Sequence, residues 1–511
     1  MTISILDCTL RDGGYYTNWD FDNAVVERYI HSIEKLPIEY IEIGYCNLPS
    51  AEYLGKYAYC PKFLIEKFTH LTSKKLAIMV NEKNLPANKA EQLLSTYIGT
   101  FKLVRVAIDP QNIERALPLL QTIKAMGFEV AANIMYMSKW DEYADFYQKL
   151  QSLNKYVDVL YMVDSFGSVF GEDLRKIVAK VQENTTCKIG FHGHNNLEMA
   201  LENTITAIDC GVDFVDSTIL GMGRGAGNLK TELLLTYLNK KKDVPVDFNV
   251  LGEVVSTFSE LHNKYKWGTN LPYMISGMNS YSQKEVMDLV QNRLYSFEQI
   301  VKILDHRKHS VSANTLPTLP LTHFDNILII GGGKNALNHI DGIKEFVKKN
   351  KNIALIHATA KNAIPYRDIP IPQYYCVTGN EERRINNVVG NKEFNGMCVY
   401  APSPRQMETK VPDFAIGKAF ELASFDFTDN YKNSCTTIAL QLAQNLCAAG
   451  NIYIVGYDGY DNEMISEKEM SLSSENLTLF KSFKSFYSKQ LISLTPTSYK
   501  ELHIQSIYSL L

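Results

Sequence analysis

The sequence predicts an α/β protein in which a (β/α)8 barrel is followed by a helical segment and then by a smaller, Rossmann-like α/β domain. Three observations carry that prediction. Short apolar runs alternate with amphipathic segments eight times in the first 240 residues, which is the size of a closed parallel barrel whose strands are covered on both faces. Polar residues gather at the ends of those runs. Beyond residue 240 the alternation gives way to helical periodicity, and strand, glycine turn, helix and strand return only near residue 326.

Taken in order, the predicted strands cover 3–6, 40–43, 76–80, 103–108, 129–134, 157–163, 188–191 and 214–215. Helices are predicted over 22–35, 112–125, 140–152, 171–183, 197–209 and 229–240. An open doubly wound sheet is the competing architecture. The polar residues decide between the two: Asp7, Arg11, Asp12, Glu42, Arg105, Asn133, Asp164, His192, His194 and Asp216 fall at or near strand ends, and only a barrel brings all of those ends to one mouth. The barrel is placed at 1–240 and a helical extension at 241–314, with helices over 249–265 and 284–304 around a loop at 267–272. The Thr/Pro-rich stretch 315–322 reads as an extended linker. The second α/β domain, 323–511, has strands at 326–330, 352–356, 374–377, 397–400 and 452–455, helices at 337–349 and 434–448, and a tail read as two helices.

Composition narrows the function classes. The chain has 511 residues, 45% hydrophobic and 21% charged, with a formal net charge of -4. That balance argues against broad attraction to nucleic acid or an anionic membrane. Neither a membrane span nor a signal peptide is expected, and a cytoplasmic protein is. The nine cysteines stand singly without a C-x-x-C pair, as free thiols in a reducing compartment would.

Two motifs carry the chemistry. In Phe191-His192-Gly193-His194-Asn195-Asn196 two imidazoles lie two residues apart at the end of an apolar run, so on a strand both point to one face. In Cys8-Thr9-Leu10-Arg11-Asp12-Gly13-Gly14 a carboxylate and a guanidinium are adjacent. Two histidines and a carboxylate make an N/O site for a divalent ion with open positions. In 221–228 four glycines, Gly221, Gly223, Gly225 and Gly227, permit a tight loop at the mouth.

Thr9–Gly13, Asp164-Ser165-Phe166-Gly167, His192–Asn195 and the Gly221–Asn228 loop together resemble the metal-dependent aldolase and acyl-CoA lyase/synthase superfamily, which includes 4-hydroxy-2-oxovalerate aldolase, hydroxymethylglutaryl-CoA lyase, and isopropylmalate and homocitrate synthases. The resemblance covers about the first 240 residues. It implies Asp12, His192 and His194 as ligands of Mn²⁺ or Mg²⁺, with Asn228 as a fourth. It further implies Arg11 as a donor to a developing enolate oxygen, and Glu42 as an orienting or proton-relaying group. The implied activity is a carbon–carbon lyase: an aldolase acting on a 2-oxo acid and an aldehyde through a metal-bound enolate. Two departures matter. The histidine base of the oxovalerate aldolases and the Gly-Glu-Gln of the synthases are both replaced by Gly13-Gly14-Tyr15-Tyr16. Tyr15 then stands as a candidate proton-transfer group, and an acyl-CoA-dependent synthase is the runner-up reading. A third reading is a non-catalytic nucleotide-sugar or surface-glycan assembly protein. In the second domain, Gly331-Gly332-Gly333-Lys334-Asn335 follows an apolar strand, and a nucleotide or nucleotide-linked metabolite is the expected ligand there. A homo-oligomer is compatible with this reading.

Overall fold

The computed structural model describes residues 3–51, 53–291, 300–301, 304, 315–379, 381–390, 392–405, 411–447, 449–460 and 467–511. The chain divides into two compact units, Met1–Asp288 and Leu289–Leu511.

In the first unit eight parallel strands close into a barrel in chain order. They are β1 (Ser4–Asp7), β2 (Tyr40–Tyr45), β3 (Lys75–Asn81), β4 (Leu103–Ile108), β5 (Glu129–Ile134), β6 (Val159–Asp164), β7 (Lys188–Gly193) and β8 (Phe214–Ser217). Closure comes from β8 pairing with β1, Ser4 opposite Phe214 and Asp7 opposite Ser217. Leu6, Cys8, Tyr40, Ala77, Leu103, Ala131, Val159, Tyr161 and Phe214 fill the inside as one cluster. Because side chains alternate along a strand, positions two further on also face the axis, so Glu42, Arg105, Asn133 and Asp216 form a polar layer above the apolar one. All four are buried.

The helices of this unit are α1 (Thr9–Thr17), α2 (Asn23–Lys35), α3 (Lys62–Leu71), α4 (Ala87–Leu94), α5 (Ile113–Ala125), α6 (Phe146–Leu150), α7 (Gly171–Asn184), α8 (Ala200–Asp209), α9 (Thr231–Lys242), α10 (Phe248–Tyr265), α11 (Leu271–Asn279) and α12 (Gln283–Gln291). Three corrections arise here. Thr9–Gly13, expected on the first strand, begins α1, because the Asp7 carboxylate accepts the Thr9 N–H at 2.9 Å and turns the chain. The helix expected over 140–152 is a five-residue α6 flanked by 3-10 turns at Met137–Glu142 and Gln151–Leu153. The loop expected at 267–272 already contains the start of α11, with the Asn270 side chain accepting the Tyr273 N–H and Pro272 near the N-terminus. The helix expected over 284–304 starts as α12, and most of its further course lies outside the described residues.

The second unit holds an eight-stranded, all-parallel sheet: β9 (Asn326–Ile330), β10 (Ile353–His357), β11 (Gln373–Cys376), β12 (Met397–Tyr400), β13 (Ala419–Glu421), β14 (Asn451–Val455), β15 (Leu491–Ser493) and β16 (His503–Ile504). Their order is β13-β12-β11-β10-β9-β14-β15-β16. Chain direction across the sheet reverses between β9 and β14, the switch point of a doubly wound fold. Its helices are α13 (Asn335–Asn338), α14 (Ile340–Lys349), α15 (Glu381–Val389), α16 (Cys435–Leu446) and α17 (Glu467–Tyr487). Ile343 and Phe346 of α14 join one apolar cluster, and Ile438 of α16 with Phe480 and Phe483 of α17 join another. The tail is thus one long helix and two short strands rather than two helices. The stretch 315–322 is extended, and the Leu319 N–H donates to Glu421 O while the Glu421 N–H donates to Pro317 O, so it lies along the edge of β13. Among the described residues no helix is long and apolar enough to cross a membrane.

Candidate active site at the barrel mouth

Strand parity sorts the polar residues at the mouth. Arg105, in phase on β4, is the hub: Nη1 donates to Glu42 Oε2 at 3.0 Å, Nη2 pairs with Asp216 Oδ2, and Nε donates to Asn133 Oδ1 at 3.2 Å. Its guanidinium carbon lies 4.2 Å over the Tyr161 ring. Asp7 and Asp164 are out of phase and stay out of this layer. Asp7 accepts from Tyr29 Oη at 2.6 Å and Thr231 Oγ1 at 2.8 Å, and its burial pushes its carboxyl up. Asp164 accepts the N–H groups of Ser168 and Val169, tying down the loop after β6, and burial raises it to about 6.

Above this layer the first turn of α1 brings in Arg11 and Asp12. Arg11 Nε donates to Glu42 Oε2 at 2.8 Å and its Nη1 pairs with Asp12 Oδ1. Glu42 therefore holds two guanidiniums through one oxygen. Burial raises the Asp12 carboxyl, but Arg11, then His192 and His194, outweigh it and hold Asp12 below the usual carboxylate range.

The imidazoles are oriented by their second nitrogens. His192 Nδ1 lies 2.8 Å from Asp216 Oδ2, which makes it the N–H donor and turns Nε2 toward Asp12, 3.7 Å from Oδ2. His194 Nδ1 likewise donates to the Asp164 carbonyl at 2.8 Å. Burial and then the neighbouring His192 push His194 down to about 3, so it is neutral with its Nε2 lone pair free. The two rings are 5.0 Å apart. Asn228 completes the group, its Nδ2 donating to Asp12 Oδ2 at 2.6 Å. Its Oδ1 is buried with no hydrogen-bond partner. The loop geometry permits this: a Cβ on Gly223 would sit 2.7 Å from Asn228 Nδ2, and Gly227 has φ +78 where a side chain would strike the Gly221 carbonyl.

The donor chemistry of these residues suits a divalent cation, with Asp12 and His192 already 3.7 Å apart. Two imidazoles whose Nδ1 protons are fixed by an outer carboxylate and a carbonyl, one depressed carboxylate and one orphaned amide oxygen make a hard-to-borderline N/O donor set. Among the described residues Cys8, His192 and Asp216 are the trio whose ligand atoms all lie within 4.8 Å of one another, and His194 falls outside that spacing. That trio is the poorer holder: Asp216 Oδ2 already serves His192 and Arg105, and burial drives the Cys8 thiol well above its usual range.

Further out, Tyr15 Oη is 3.1 Å from Tyr45 Oη, and the Arg224 guanidinium carbon lies 3.9 Å over the Tyr15 ring. Neither Tyr45 nor Arg224 was expected from the sequence as a functional residue. Tyr45 lies at the end of β2, two residues beyond the predicted strand 40–43, and Arg224 inside the glycine loop already singled out. Arg105 and Asp216 were legible as polar residues inside apolar runs, but not as the pair that orients His192.

The architecture and the site now have counterparts. Residues 2–258 match the HMGL-like family model, half of the chain. The chain belongs to the HMGL-like family. It is 29% identical over 240 residues to an oxaloacetate decarboxylase of Mycobacterium tuberculosis, covering 46% of this chain and 70% of that one. To a 4-hydroxy-2-oxovalerate aldolase of Thermomicrobium roseum it is 30% identical over 242 residues, 46% of this chain and 66% of the other, just under two thirds of its length. The crystal structure of the N-terminal domain of a candidate aldolase from Bacteroides vulgatus is 54% identical, covers 59% of this chain and all of its own, and has a TM-score of 0.57.

Gly331, Gly332 and Gly333 lie in the second unit at the switch point, and there the structure redirects the expectation of a phosphate cradle. The Gly331 and Gly333 N–H groups are spent on the Val455 and Gly456 carbonyls, and the Asn335 N–H on Asp458 Oδ2 at 2.9 Å. A Cβ on Gly333 would lie 2.5 Å from the Asp458 carboxyl carbon. The protein's own carboxylate takes the place an incoming anion would need, and the helix that starts there, α13, is four residues long.

Proposed function

We propose that this protein is a divalent-metal-dependent aldolase, a carbon–carbon lyase that joins or separates the enolate of a 2-oxo acid and an aldehyde. The supporting observation is the pairing of Asp12 with a His192 whose Nδ1 is held by Asp216, beside an Arg11 fixed by Glu42. Asp12, His192, His194 and Asn228 Oδ1 would hold the ion. Mn²⁺ or Mg²⁺ suits that donor set better than Zn²⁺, and when bound it supplies a Lewis acid that draws electron density toward the oxygen of the 2-oxo group.

The chain's own residues do the rest. Arg11, locked by Glu42, presents its guanidinium to the oxygen that gains charge as a methyl proton leaves. In condensation the methyl carbon gives up a proton to solvent and bonds to the aldehyde carbon, while the aldehyde oxygen takes a proton; cleavage reverses each of these. Tyr15, with its hydroxyl next to that of Tyr45, is the group we assign to moving that proton. Decarboxylation of oxaloacetate, the activity for which one relative is named, passes through the same pyruvate enolate and is the second reading.

The test is exchange of pyruvate methyl protons in D₂O with added Mn²⁺. The expected outcome is protein-dependent exchange that chelation abolishes. Exchange no faster than with Mn²⁺ alone would remove the enolate from the reading. Release of CO₂ from oxaloacetate, with no reaction of any aldehyde, would favour the decarboxylase.

A further inference from the structure

The buried guanidiniums of the barrel are matched by acids, with one exception. Arg11 faces Asp12 and Glu42, and Arg105 faces Glu42 and Asp216. Arg224 is partly buried and, among the described residues, makes no ion pair, Asp12 acting on it only at longer range. It is stacked on Tyr15 instead. A partly buried cation with no directly paired acid keeps donors to spare, and an aromatic face satisfies only part of its charge.

Its position is also held. The Arg224 carbonyl accepts the Gly227 N–H, and the Gly225 carbonyl accepts from Tyr16 Oη at 3.2 Å and from the Gly268 N–H at 3.3 Å. Tyr15 is fixed by Tyr45 at its hydroxyl and by the Trp19 ring at 4.9 Å. Tyr15 follows Arg11 by four residues on α1, so the ring that carries the cation and Arg11 belong to the same face of that helix, one turn apart. A cation held on the next turn is placed to meet the far end of a small aldehyde rather than its carbonyl. A planar guanidinium fork is shaped for a carboxylate or a phosphate.

We infer that Arg224, presented on Tyr15, recognises an anionic substituent, carboxylate or phosphate, on the aldehyde partner. This rests on the aldolase reading above.

The experiment compares glycolaldehyde, glycolaldehyde phosphate and glyoxylate as partners for pyruvate, using the full chain with Mn²⁺ and following pyruvate consumption by NMR. The parent is expected to favour one of the two anionic aldehydes, and which one tells phosphate from carboxylate. In Arg224→Met that preference over glycolaldehyde should fall by at least about tenfold in kcat/KM, through KM for the aldehyde, with partial recovery in Arg224→Lys. Thermal melts check that both variants are folded. An unchanged preference in a folded Arg224→Met overturns the assignment. So does a rise in KM for pyruvate instead, which would put the guanidinium on the donor's carboxylate, or methyl exchange in the parent with no aldehyde consumed. Absence of exchange in the parent is a different failure, that of the aldolase reading, and the assignment falls with it.

Discussion

Both units carry parallel strands with polar residues beyond their carboxyl ends, but only the barrel gathers several of them into one charge-matched layer. In the barrel the carboxylates of Asp12, Glu42 and Asp216 are spent on guanidiniums and an imidazole. In the open sheet Asp458 accepts a backbone N–H, Glu381 accepts the Ala360 N–H at 2.7 Å and the Thr359 hydroxyl at 3.0 Å beside its pair with Arg384, and Glu421 pairs separately with Arg405 at 2.7 Å. Closure explains the difference. A ring of strand ends forces charged side chains to face one another across the axis, whereas the ends of an open sheet lie in a row where each acid serves only its own neighbours. The barrel links its in-phase acids into one network, and the open sheet keeps its acids in separate local contacts.

The largest effect that would sharpen this contrast is at His192. His192→Ala should remove bound Mn²⁺ and lower methyl exchange by about 10³-fold or more, since the ion loses the imidazole oriented by Asp216. Metal content and exchange are measured on one preparation. In the open sheet, Glu381→Gln should leave both unchanged. If both variants lost metal equally, the site would not lie in the barrel.

Next is Arg105→Leu. It strands Glu42 and Asp216 without their shared partner in a layer fully withdrawn from water, a change that costs about 3–5 kcal/mol. Denaturant unfolding of parent and variant checks it. A loss below about 1 kcal/mol would mean that water reaches the polar layer, and the barrel would then resemble the open sheet in how it keeps its acids.

Asp216→Asn should preserve the fold while weakening metal binding by about 10–100-fold, because the amide can no longer hold His192 Nδ1–H as a charged acceptor does. Equilibrium dialysis with Mn²⁺ reads the effect. Unchanged affinity would argue for Cys8 and Asp216 as direct ligands being irrelevant and for His192 being oriented by packing alone.

How far these features were legible follows from the period of each element. Barrel strands recur as apolar runs with a polar residue two positions beyond an apolar one, so β4, β5 and β7 were readable, and Glu42, Arg105 and His192 with them. The first turn of α1 was not, because Gly13-Gly14 and the apolar run ahead of them look like a strand running into a turn. There a tertiary contact, Asp7 to the Thr9 N–H, overrides local preference. Arg224 was hidden by its neighbours, four glycines that draw attention to the backbone rather than to the one charged side chain of the loop. In the second unit β13, β15 and β16 are two or three residues long, too short to show alternation. The glycine loop at 331–333 was visible as a loop, but that Asp458 would fill it from 123 residues away was not.

The smallest expected effect belongs to the open sheet. His357 Nε2 donates to Gln373 Oε1 at 2.9 Å, its ring stacks on Tyr375 at 4.4 Å, and its Nδ1 is buried without a partner. Burial pushes this imidazole down from 6.5 to about 4. A histidine depressed in the folded state contributes no penalty above pH 6.5, where both states are neutral; as pH falls from 6.5 toward 4 the unfolded chain binds the proton first and stability is lost. Relative to pH 8, the loss at pH 5.5 is about 1 kcal/mol. His357→Gln removes the titration, so the difference in unfolding free energy between pH 8 and pH 5.5 should be smaller in the variant by about that amount. Equal acid sensitivity in parent and variant would mean that water or a neighbouring group reaches Nδ1, and that burial of His357 does not set the acid response of the open sheet.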